Sequence, residues 1–304
     1  MTNIHGNAFV GCSSLSDVTI GSGVAIMGTL HSTAVDDWGY EYLIEAQPAF
    51  GSCDSLMNFK LADGNATFEE IGGCLYFRDT PKTAKKLAAY PSGRETLYFT
   101  RDVNVTELAE TSCSRCDKFV DITIPDSVRE IGPQSMIGCS SLNKLTIPEG
   151  PTNISEGAFM VNMFLYDVEI AGTVKTIGAM AFQHENMDEE QEGCRLVLHE
   201  GIESIGAEAF SRGRWIRELV VPDSVTSLDE SAFAEQWMLK SAELGTGVTA
   251  LPAGLLGGCY ERESVTLNGA VASVGDNALT GCEKLVDITL DNAATIGENA
   301  FNRC

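Results

Sequence analysis

Residues 131–153 read IGPQSMIGCSSLNKLTIPEGPTN, and residues 154–176 repeat the same pattern as ISEGAFMVNMFLYDVEIAGTVKT. The aligned copies share the unit Ile-Gly-x-x-Ala-Phe-x-x-Cys-x-x-Leu-x-x-Val-x-Ile-Pro-x-Ser-Val-x-x, and most copies begin 23 residues apart. A fixed period of this length is typical of solenoid proteins, in which each unit packs on the next. The units begin at Ile4, Met27, Leu108, Ile131, Ile154, Ile177, Ile205, Leu228, Leu251, Val274 and Ile296.

Each part of the unit predicts a local structure. Val-x-Ile alternates apolar and polar residues, which predicts a short strand with one face inward. The proline that follows cannot donate a hydrogen bond to a neighbouring strand, so it ends the strand. Ser-Val-x-x-Ile predicts a second, weaker strand, and Gly-x-x-Ala-Phe predicts a short helical turn. One unit cannot bury its own apolar face, so stacked units should bury a row of phenylalanines: Phe159, Phe182, Phe210 and Phe233.

The repeated residues resemble the BspA-like leucine-rich repeats of bacterial proteins, and the resemblance extends from Ile4 to Cys304. It implies an α/β-type repeat solenoid, namely a curved, right-handed leucine-rich repeat stack with a parallel β-sheet on the concave face and little regular helix. It also implies a secreted or cell-surface protein that binds a ligand and is not an enzyme. We therefore expect residues 1–304 to form a single solenoid of about ten repeats.

Three segments depart from the repeat. Residues 28–48 and 183–193 are predicted insertions that leave the solenoid wall, and residues 69–107 are a predicted irregular, hairpin-like segment. The chain begins and ends inside repeats, and its first nine residues have neither the basic nor the apolar region of a signal peptide. We interpret the chain as a piece of a longer protein.

Composition excludes several classes of partner. The chain has 43 acidic and 20 basic residues, which give a formal net charge of −23. Nucleic acids and anionic membranes bind clustered lysine and arginine, so neither is an expected partner. No apolar stretch is long enough to insert into a membrane. The four histidines lie in no catalytic or metal-binding signature, so we expect no catalytic residues, no metal site and no cofactor. The chain is expected to be a monomer.

Cysteine recurs at one position of the unit. Side chains on a buried parallel ladder point in the same direction, so we expect free, protected thiols there rather than disulfides. Cys113 takes the phenylalanine position of its unit, which favours a structural role for the pair Cys113-x-x-Cys116. Cys74 and Cys194 lie off the ladder and are expected to be the most reactive thiols. The ladder comprises Cys12, Cys53, Cys116, Cys139, Cys259, Cys282 and Cys304.

One irregularity in the repeat predicts a ligand site. The two positions after the cysteine position usually hold small or charged residues, but four units carry Met163-Phe164, Arg214-Trp215, Trp237-Met238 and Tyr260-Glu261. Stacking aligns equivalent positions, so these side chains should form a partly exposed row along one rim. Aromatic residues beside arginine are typical of binding hot spots. The predicted ligand-binding residues are Phe164, Tyr166, Trp215, Arg217, Trp237, Lys240 and Tyr260.

Three functions remain open. The first is a non-catalytic, adhesion-type module that binds a protein ligand, for example a host protein, through the concave face and the aromatic rim. The second is a carbohydrate-binding surface module, because aromatic platforms flanked by carboxylates also suit sugars. The third is a passive spacer or stalk. In a purely structural interpretation, the large side chains of the rim cover the flank of the solenoid or pack under the insertion at 183–193.

Overall fold

The computed structural model describes residues 1–28, 32–35, 41–44, 47–184, 194–290 and 293–304. Every regular element in these ranges is a strand, and no helix that could cross a membrane occurs in them. The strands are β1 (Asn3–Ile4), β2 (Asp17–Ile20), β3 (Ile26–Met27), β4 (Ser32–Val35), β5 (Glu41–Ile44), β6 (Asn58–Leu61), β7 (Phe68–Ile71), β8 (Cys74–Phe77), β9 (Lys85–Ala89), β10 (Val105–Leu108), β11 (Asp121–Thr123), β12 (Glu130–Ile131), β13 (Lys144–Ile147), β14 (Asn153–Ile154), β15 (Asp167–Ile170), β16 (Thr176–Ile177), β17 (Arg195–Leu198), β18 (Ser204–Ile205), β19 (Glu218–Val221), β20 (Ser227–Leu228), β21 (Ser241–Leu244), β22 (Ala250–Leu251), β23 (Ser264–Leu267), β24 (Ser273–Val274) and β25 (Thr295–Ile296).

A regular coil contributes one longer strand and one strand of two residues. The longer strands pair in parallel as β11-β13-β15-β17 and β19-β21-β23, and a second parallel ladder has the order β10-β12-β14-β16-β18-β20. The register moves by one repeat per step, so that Leu145 pairs with Val168 and Ile154 with Ile177. The predicted stack of repeats is therefore confirmed. The α/β label is not confirmed, because the described residues form strands on both walls. The handedness and the position of the concave face remain predictions.

The predicted helical turn at Gly-x-x-Ala-Phe is wrong. In the coil that begins at Ile131, two successive four-residue turns replace it, and Gln134 and Gly138 have left-handed backbone with φ of 47° and 66°. This conformation points alternate amides at the next coil, where Gln134 N–H donates to the Glu156 carbonyl at 3.1 Å and Met136 N–H to the Ala158 carbonyl at 2.9 Å. A helical turn would direct these donors into its own backbone instead.

The glycine that opens the unit is required by close stacking. A Cβ atom at Gly132 would lie 2.4 Å from the carbonyl oxygen of Leu108 in the preceding coil. The equivalent distances to a backbone atom are 2.7, 2.7 and 2.6 Å at Gly178, Gly206 and Gly275. Glycine in the Ile-Gly pair is therefore needed for the close contact between coils and not for a turn within one coil.

The predicted phenylalanine row is confirmed. Phe159, Phe182, Phe210 and Phe233 are buried, and consecutive ring centroids lie 5.0, 5.0 and 5.3 Å apart with interplanar angles of 11°, 1° and 3°. Identical positions in successive coils give the rings the same orientation, so they stack in parallel. This stack forms the centre of the main core, which extends from Cys74 to Ala300.

Strand β8 joins the main core to a smaller N-terminal core. It pairs antiparallel with both β7 and β9, and β9 continues the sheet in parallel into β10. Successive side chains of a strand point to opposite faces. Cys74 and Tyr76 accordingly belong to the main core, whereas Leu75 is buried in the N-terminal core together with Phe50 and Phe59.

Two predicted insertions fall partly outside the described residues. The tryptophan and acidic residues at 36–38 and the whole of 185–193 lie outside them. Within the first insertion, β4 and β5 pair antiparallel, with Ser32 opposite Ile44.

All ten cysteines are free thiols, and the repeat position that seven of them occupy supplies a hydrogen-bond donor. Cys139 Sγ donates to the carbonyl of Cys113 at 3.3 Å. Where cysteine is replaced, Asn162 donates through Nδ2 to the Met136 carbonyl at 3.2 Å, and Gln236 donates through Nε2 to the carbonyl of Phe210. Each acceptor lies at the phenylalanine position of the preceding coil. The cysteine position therefore satisfies a buried carbonyl, a requirement that the apolar interpretation missed.

Two expectations about single thiols, Cys12 and Cys74, are wrong. Cys12, expected to be protected, is exposed, because its coil lies near the start of the described stack. Cys74, expected to be reactive, is buried in β8, and desolvation raises the pKa of its thiol to about 11. Cys304 ends the ladder and is also exposed. Cys194 is half-buried.

Candidate functional site

Three side chains at one repeat position form the exposed aromatic surface of the middle coils. Arg214, Trp237 and Tyr260 occupy this position in three consecutive coils, and we call them the aromatic rim. The guanidinium carbon of Arg214 lies 4.1 Å from the centroid of the Trp237 ring. The Trp237 and Tyr260 ring centroids are 6.2 Å apart with an interplanar angle of 65°. Trp237 is 39% exposed and Tyr260 is 44% exposed.

The local sequence forces these side chains outward. The preceding residues, Gln236 and Cys259, are buried at the cysteine position, and Leu239 and Arg262 are buried two residues after the rim position. Trp237 and Tyr260 lie between these buried positions, and their side chains are partly exposed. The rim thus results from the repeat, and only the choice of large side chains there is special.

Trp215 does not belong to this surface, so the prediction that it is partly exposed is wrong. It is 0% exposed and stacks on His184, with ring centroids 5.8 Å apart and an interplanar angle of 18°. His184 comes from the preceding coil, immediately before the segment 185–193, and is itself buried. Desolvation lowers the pKa of His184 to about 4, despite contacts with the carbonyls of Phe182 and Leu165. Trp215 is a packing residue.

Phe164 and Tyr166 lie apart from the rim in the repeat. Phe164 occupies the repeat position of Trp215 rather than that of Trp237, and a whole coil separates its coil from that of Trp215. It is partly exposed, whereas Tyr166 packs against the main core. No ring contact within the described ranges joins either residue to Trp237 or Tyr260.

Arg217 and Lys240 share a third repeat position. The Lys240 amide donates to the Arg217 carbonyl at 2.8 Å, which places the two residues on neighbouring coils. Arg217 is half-buried and Lys240 is exposed. They follow Arg214 and Trp237 by three residues, so two further cations accompany the rim along the chain.

The longer strands of the earlier coils present charges that neutralise one another. Asp121, Lys144, Asp167 and Arg195 are neighbours in register and alternate in sign. Arg195 contacts Asp167 and Glu169 at 2.9 Å each. The hydrogen bonds from His199 and Arg195 lower the pKa of Glu169. This face is a network of exposed ion pairs, and such pairs contribute little to stability.

Sequence reasoning left Arg214 out of the predicted site, although it lies directly over the Trp237 ring. The signal was present, because Arg214 occurs at the same repeat position as Trp237 and Tyr260. Within the described residues, no group of three or more His, Cys, Asp or Glu side chains is arranged to hold a metal ion.

Comparison with protein families identifies the same kind of repeat. A family model described as the BspA type leucine rich repeat region matches residues 94–191 and 194–304 in six copies. These ranges cover well over half of the chain. The chain belongs to the BspA-type leucine-rich repeat family. The aromatic rim lies inside the second matched range, on BspA-type repeats. No curated protein gives a significant match to the chain.

Solved structures similar to this BspA-type chain include three bacterial proteins. A leucine rich cell surface protein from Faecalibacterium prausnitzii A2-165 is 17% identical, with 88% of this chain and 52% of that chain covered and a TM-score of 0.43. The pneumococcal vaccine antigen PcpA is 19% identical, with 98% and 59% covered and a TM-score of 0.44. The T. pallidum leucine rich repeat protein is 21% identical, with 75% and 96% covered and a TM-score of 0.49. The chain thus spans between half and two thirds of the length of the first two.

Proposed function

We propose that the chain is a recognition module without catalytic activity, carried by a secreted or cell-surface bacterial protein, and that it binds a protein partner through the aromatic rim and the concave face. The observation that carries the proposal is the partly exposed cluster of Arg214, Trp237 and Tyr260. Tryptophan, tyrosine and arginine are the residue types most enriched at the energetic centres of protein interfaces. Family membership supports the surface location.

The geometry of the rim favours a protein over a sugar. The guanidinium of Arg214 covers part of the Trp237 ring, and the Tyr260 ring stands at 65° to that ring. A sugar ring stacks best on one open, flat aromatic face, which this arrangement does not offer. A protein partner can instead insert side chains around a ridge of tilted rings. The exposed aromatic pair also disfavours a passive spacer, which would need only polar side chains there.

Size and charge fit a specific interface. Coils spaced by about 4.8 Å form a stack roughly 50 Å long over ten repeats, which is sufficient for the ~800 Å² per partner of a standard interface. Arg217 and Lys240 add cations near the rim, so the partner is expected to present carboxylates there. Binding should consequently weaken as ionic strength rises, because salt screens exposed charges.

The test is a binding measurement with the whole chain. The wild-type chain and the double variant Trp237→Ala, Tyr260→Ala are passed over a panel of immobilised, purified extracellular proteins in a surface-plasmon experiment. We expect at least one partner to bind the wild type and the double variant to bind it at least tenfold more weakly, as the loss of a hot-spot pair predicts.

Val286→Ala is the matched control, because Val286 is an apolar residue 88% exposed on a later coil. This variant should bind as the wild type does. A partner that binds the wild type and the double variant equally well would remove the rim from the proposal, and binding to no protein of a broad panel would count against recognition of proteins.

A further inference from the structure

A second surface, in the irregular segment, differs from the rest of the molecule in charge. Residues 78–102 contain six basic and three acidic side chains, a formal charge of +3 in a chain of −23. The basic residues are Arg78, Lys82, Lys85, Lys86, Arg94 and Arg101. In a strongly acidic protein, a local positive charge attracts anions, whereas the surrounding negative charge repels them.

A cavity of about 470 Å³ opens in this segment. Its walls are the loop before β9, the chain from Leu97 to Asn104, and Pro125 and Ser127 of the first regular coil. This volume lies within the range of ~300–1,000 Å³ that small-ligand sites occupy. The cavity therefore lies where the irregular segment meets the solenoid.

Two of the six cations line the cavity, and both are available to a ligand. Lys85 and Lys86 pair with Glu69 and Glu107 elsewhere. Arg78 and Arg94 donate to backbone carbonyls. Lys82 and Arg101 are exposed, line the cavity, and form no ion pair with a carboxylate among the described residues. Asp102 also lines the cavity, so its wall carries two cations and one carboxylate.

Tyr98 presents an aromatic ring at the same cavity on a fixed backbone. The buried hydroxyl of Tyr90 accepts a hydrogen bond from the Tyr98 amide at 3.0 Å and donates to the Thr96 carbonyl at 2.6 Å. The next residue, Phe99, packs edge-on against the Tyr90 ring at 6.1 Å. The backbone is thus anchored on both sides, yet the Tyr98 ring is 60% exposed.

The loop before β9, which forms another part of the wall, is also held by hydrogen bonds. Lys85 N–H donates to the Asn104 carbonyl at 2.8 Å, and Asn104 Nδ2 donates to the Thr83 carbonyl. Asn104, Thr83 and Ser127 line the cavity and are the residues that bring an amide and two hydroxyls to its wall. A site whose walls are held before binding loses little entropy when a ligand enters.

We propose that this cavity binds a sugar that carries a carboxylate, such as a sialic or uronic acid. The Tyr98 ring packs on the apolar face of the sugar, Lys82 and Arg101 pair with its carboxylate, and the Asn104, Thr83 and Ser127 groups bond to its hydroxyls. An acidic peptide fits less well. A peptide that adds to a sheet needs a free strand edge, whereas β9 is paired on both sides by β8 and β10.

The test uses the whole chain and named sugars. Saturation-transfer NMR measures the binding of N-acetylneuraminic acid and glucuronic acid, and compares it with the binding of glucose, a neutral sugar. We expect both acids to bind and glucose to bind at least tenfold more weakly. Affinity for the acids should fall as salt is raised, because the cations are exposed.

Variants locate the site. Tyr98→Ala and the pair Lys82→Gln, Arg101→Gln should each weaken acid-sugar binding at least tenfold, while Tyr98→Phe should stay within about twofold because the ring face remains. All these side chains are exposed, so the melting temperature should not change. The rim variant Trp237→Ala should bind the sugars as the wild type does, which separates this site from the protein-binding proposal.

Three results would overturn the assignment. They are equal binding of acidic and neutral sugars, acid-sugar binding that survives the Tyr98 and double-Gln variants, or displacement of the sugar from the cavity by an acidic peptide of much higher affinity.

Discussion

Buried aromatic rings pack in two different ways in the two halves of the main core. In the regular coils, the rings of Phe159, Phe182, Phe210 and Phe233 are parallel to within 11°. Around the irregular segment, Tyr90 meets Phe99 at 89° and Phe119 at 52°. The first arrangement follows from repetition, because each coil places the same side chain in the same environment. The second depends on contacts that occur once.

The two kinds of packing have different roles: the parallel rings fill the core, whereas the cluster around Tyr90 also positions a surface residue. In the parallel stack, each ring packs against the equivalent rings of the neighbouring coils, so the stack fills the core and positions no surface residue. The cluster around Tyr90 uses a hydroxyl as well as ring packing, and that hydroxyl anchors the backbone that presents Tyr98 to solvent. The irregular segment therefore carries the position-specific chemistry of this part of the chain.

The largest effect is expected in the regular stack. Phe182→Ala should lower the free energy of unfolding by ~3–5 kcal/mol, the usual range for a large buried aromatic residue. Phe182 contacts a ring on each side at 5.0 Å, so the neighbouring coils should lose protection in hydrogen exchange as well. Urea unfolding of the whole chain measures the change. A fall of less than about 1 kcal/mol in the free energy of unfolding would contradict the view that the ring stack stabilises neighbouring coils together.

A pH effect is expected at His184, which is buried against Trp215. The pKa of His184 is about 4 in the folded chain and near its ordinary value of ~6.5 when unfolded. The unfolded chain therefore binds a proton that the folded chain does not. Stability from this group is complete above about pH 6.5 and declines as the pH falls toward 4, by roughly 3 kcal/mol in total.

The variant His184→Gln tests this assignment, because glutamine does not titrate. The difference in unfolding free energy between wild type and variant should change between pH 6.5 and pH 4.5. A difference that stays constant over this interval would show that the buried imidazole does not control the pH dependence.

A smaller effect is expected in the irregular segment. Tyr90→Phe keeps the ring and removes the hydroxyl that bonds to the backbone of Thr96 and Tyr98. The free energy of unfolding should fall by about 1–3 kcal/mol, the range for leaving buried polar groups unpaired. The amide of Tyr98 should also exchange faster. Unchanged exchange at that amide would show that the hydroxyl does not hold the cavity wall.

The smallest effect on stability is expected at the rim. Trp237→Ala should change the free energy of unfolding by no more than about 0.5 kcal/mol, because the side chain is partly exposed. Trp215→Ala is the reference, since this tryptophan is buried and should cost about as much as Phe182→Ala. If both variants unfolded at the same denaturant concentration, the distinction between rim and packing residue would fail.

The repeat made the fold predictable in some respects and left others open. Period and residue type were enough to place the phenylalanine row, because burial there is identical in every coil. The turns were mispredicted because left-handed residues such as Val161 and Met180 carry no glycine signal and are held in place by hydrogen bonds to the next coil. Trp215 was mispredicted because the repeat assigns a position, whereas its burial depends on His184 in the coil before it. Cys74 was mispredicted because β8 lies between the two cores, which bury both of its faces.

The continuous ladder from β10 to β20 also sets the distance between the two proposed surfaces. Strand β12 follows the cavity wall at Ser127, strand β20 precedes Trp237, and four steps of strand pairing separate the two strands. At about 4.8 Å per step, the two surfaces are roughly 19 Å apart along the stack. Each coil offers the next the same donors and acceptors, so one added or deleted coil would change this spacing by a single step without altering either surface. The distance between the two proposed binding surfaces is thus a quantity that such a chain can vary without changing either surface.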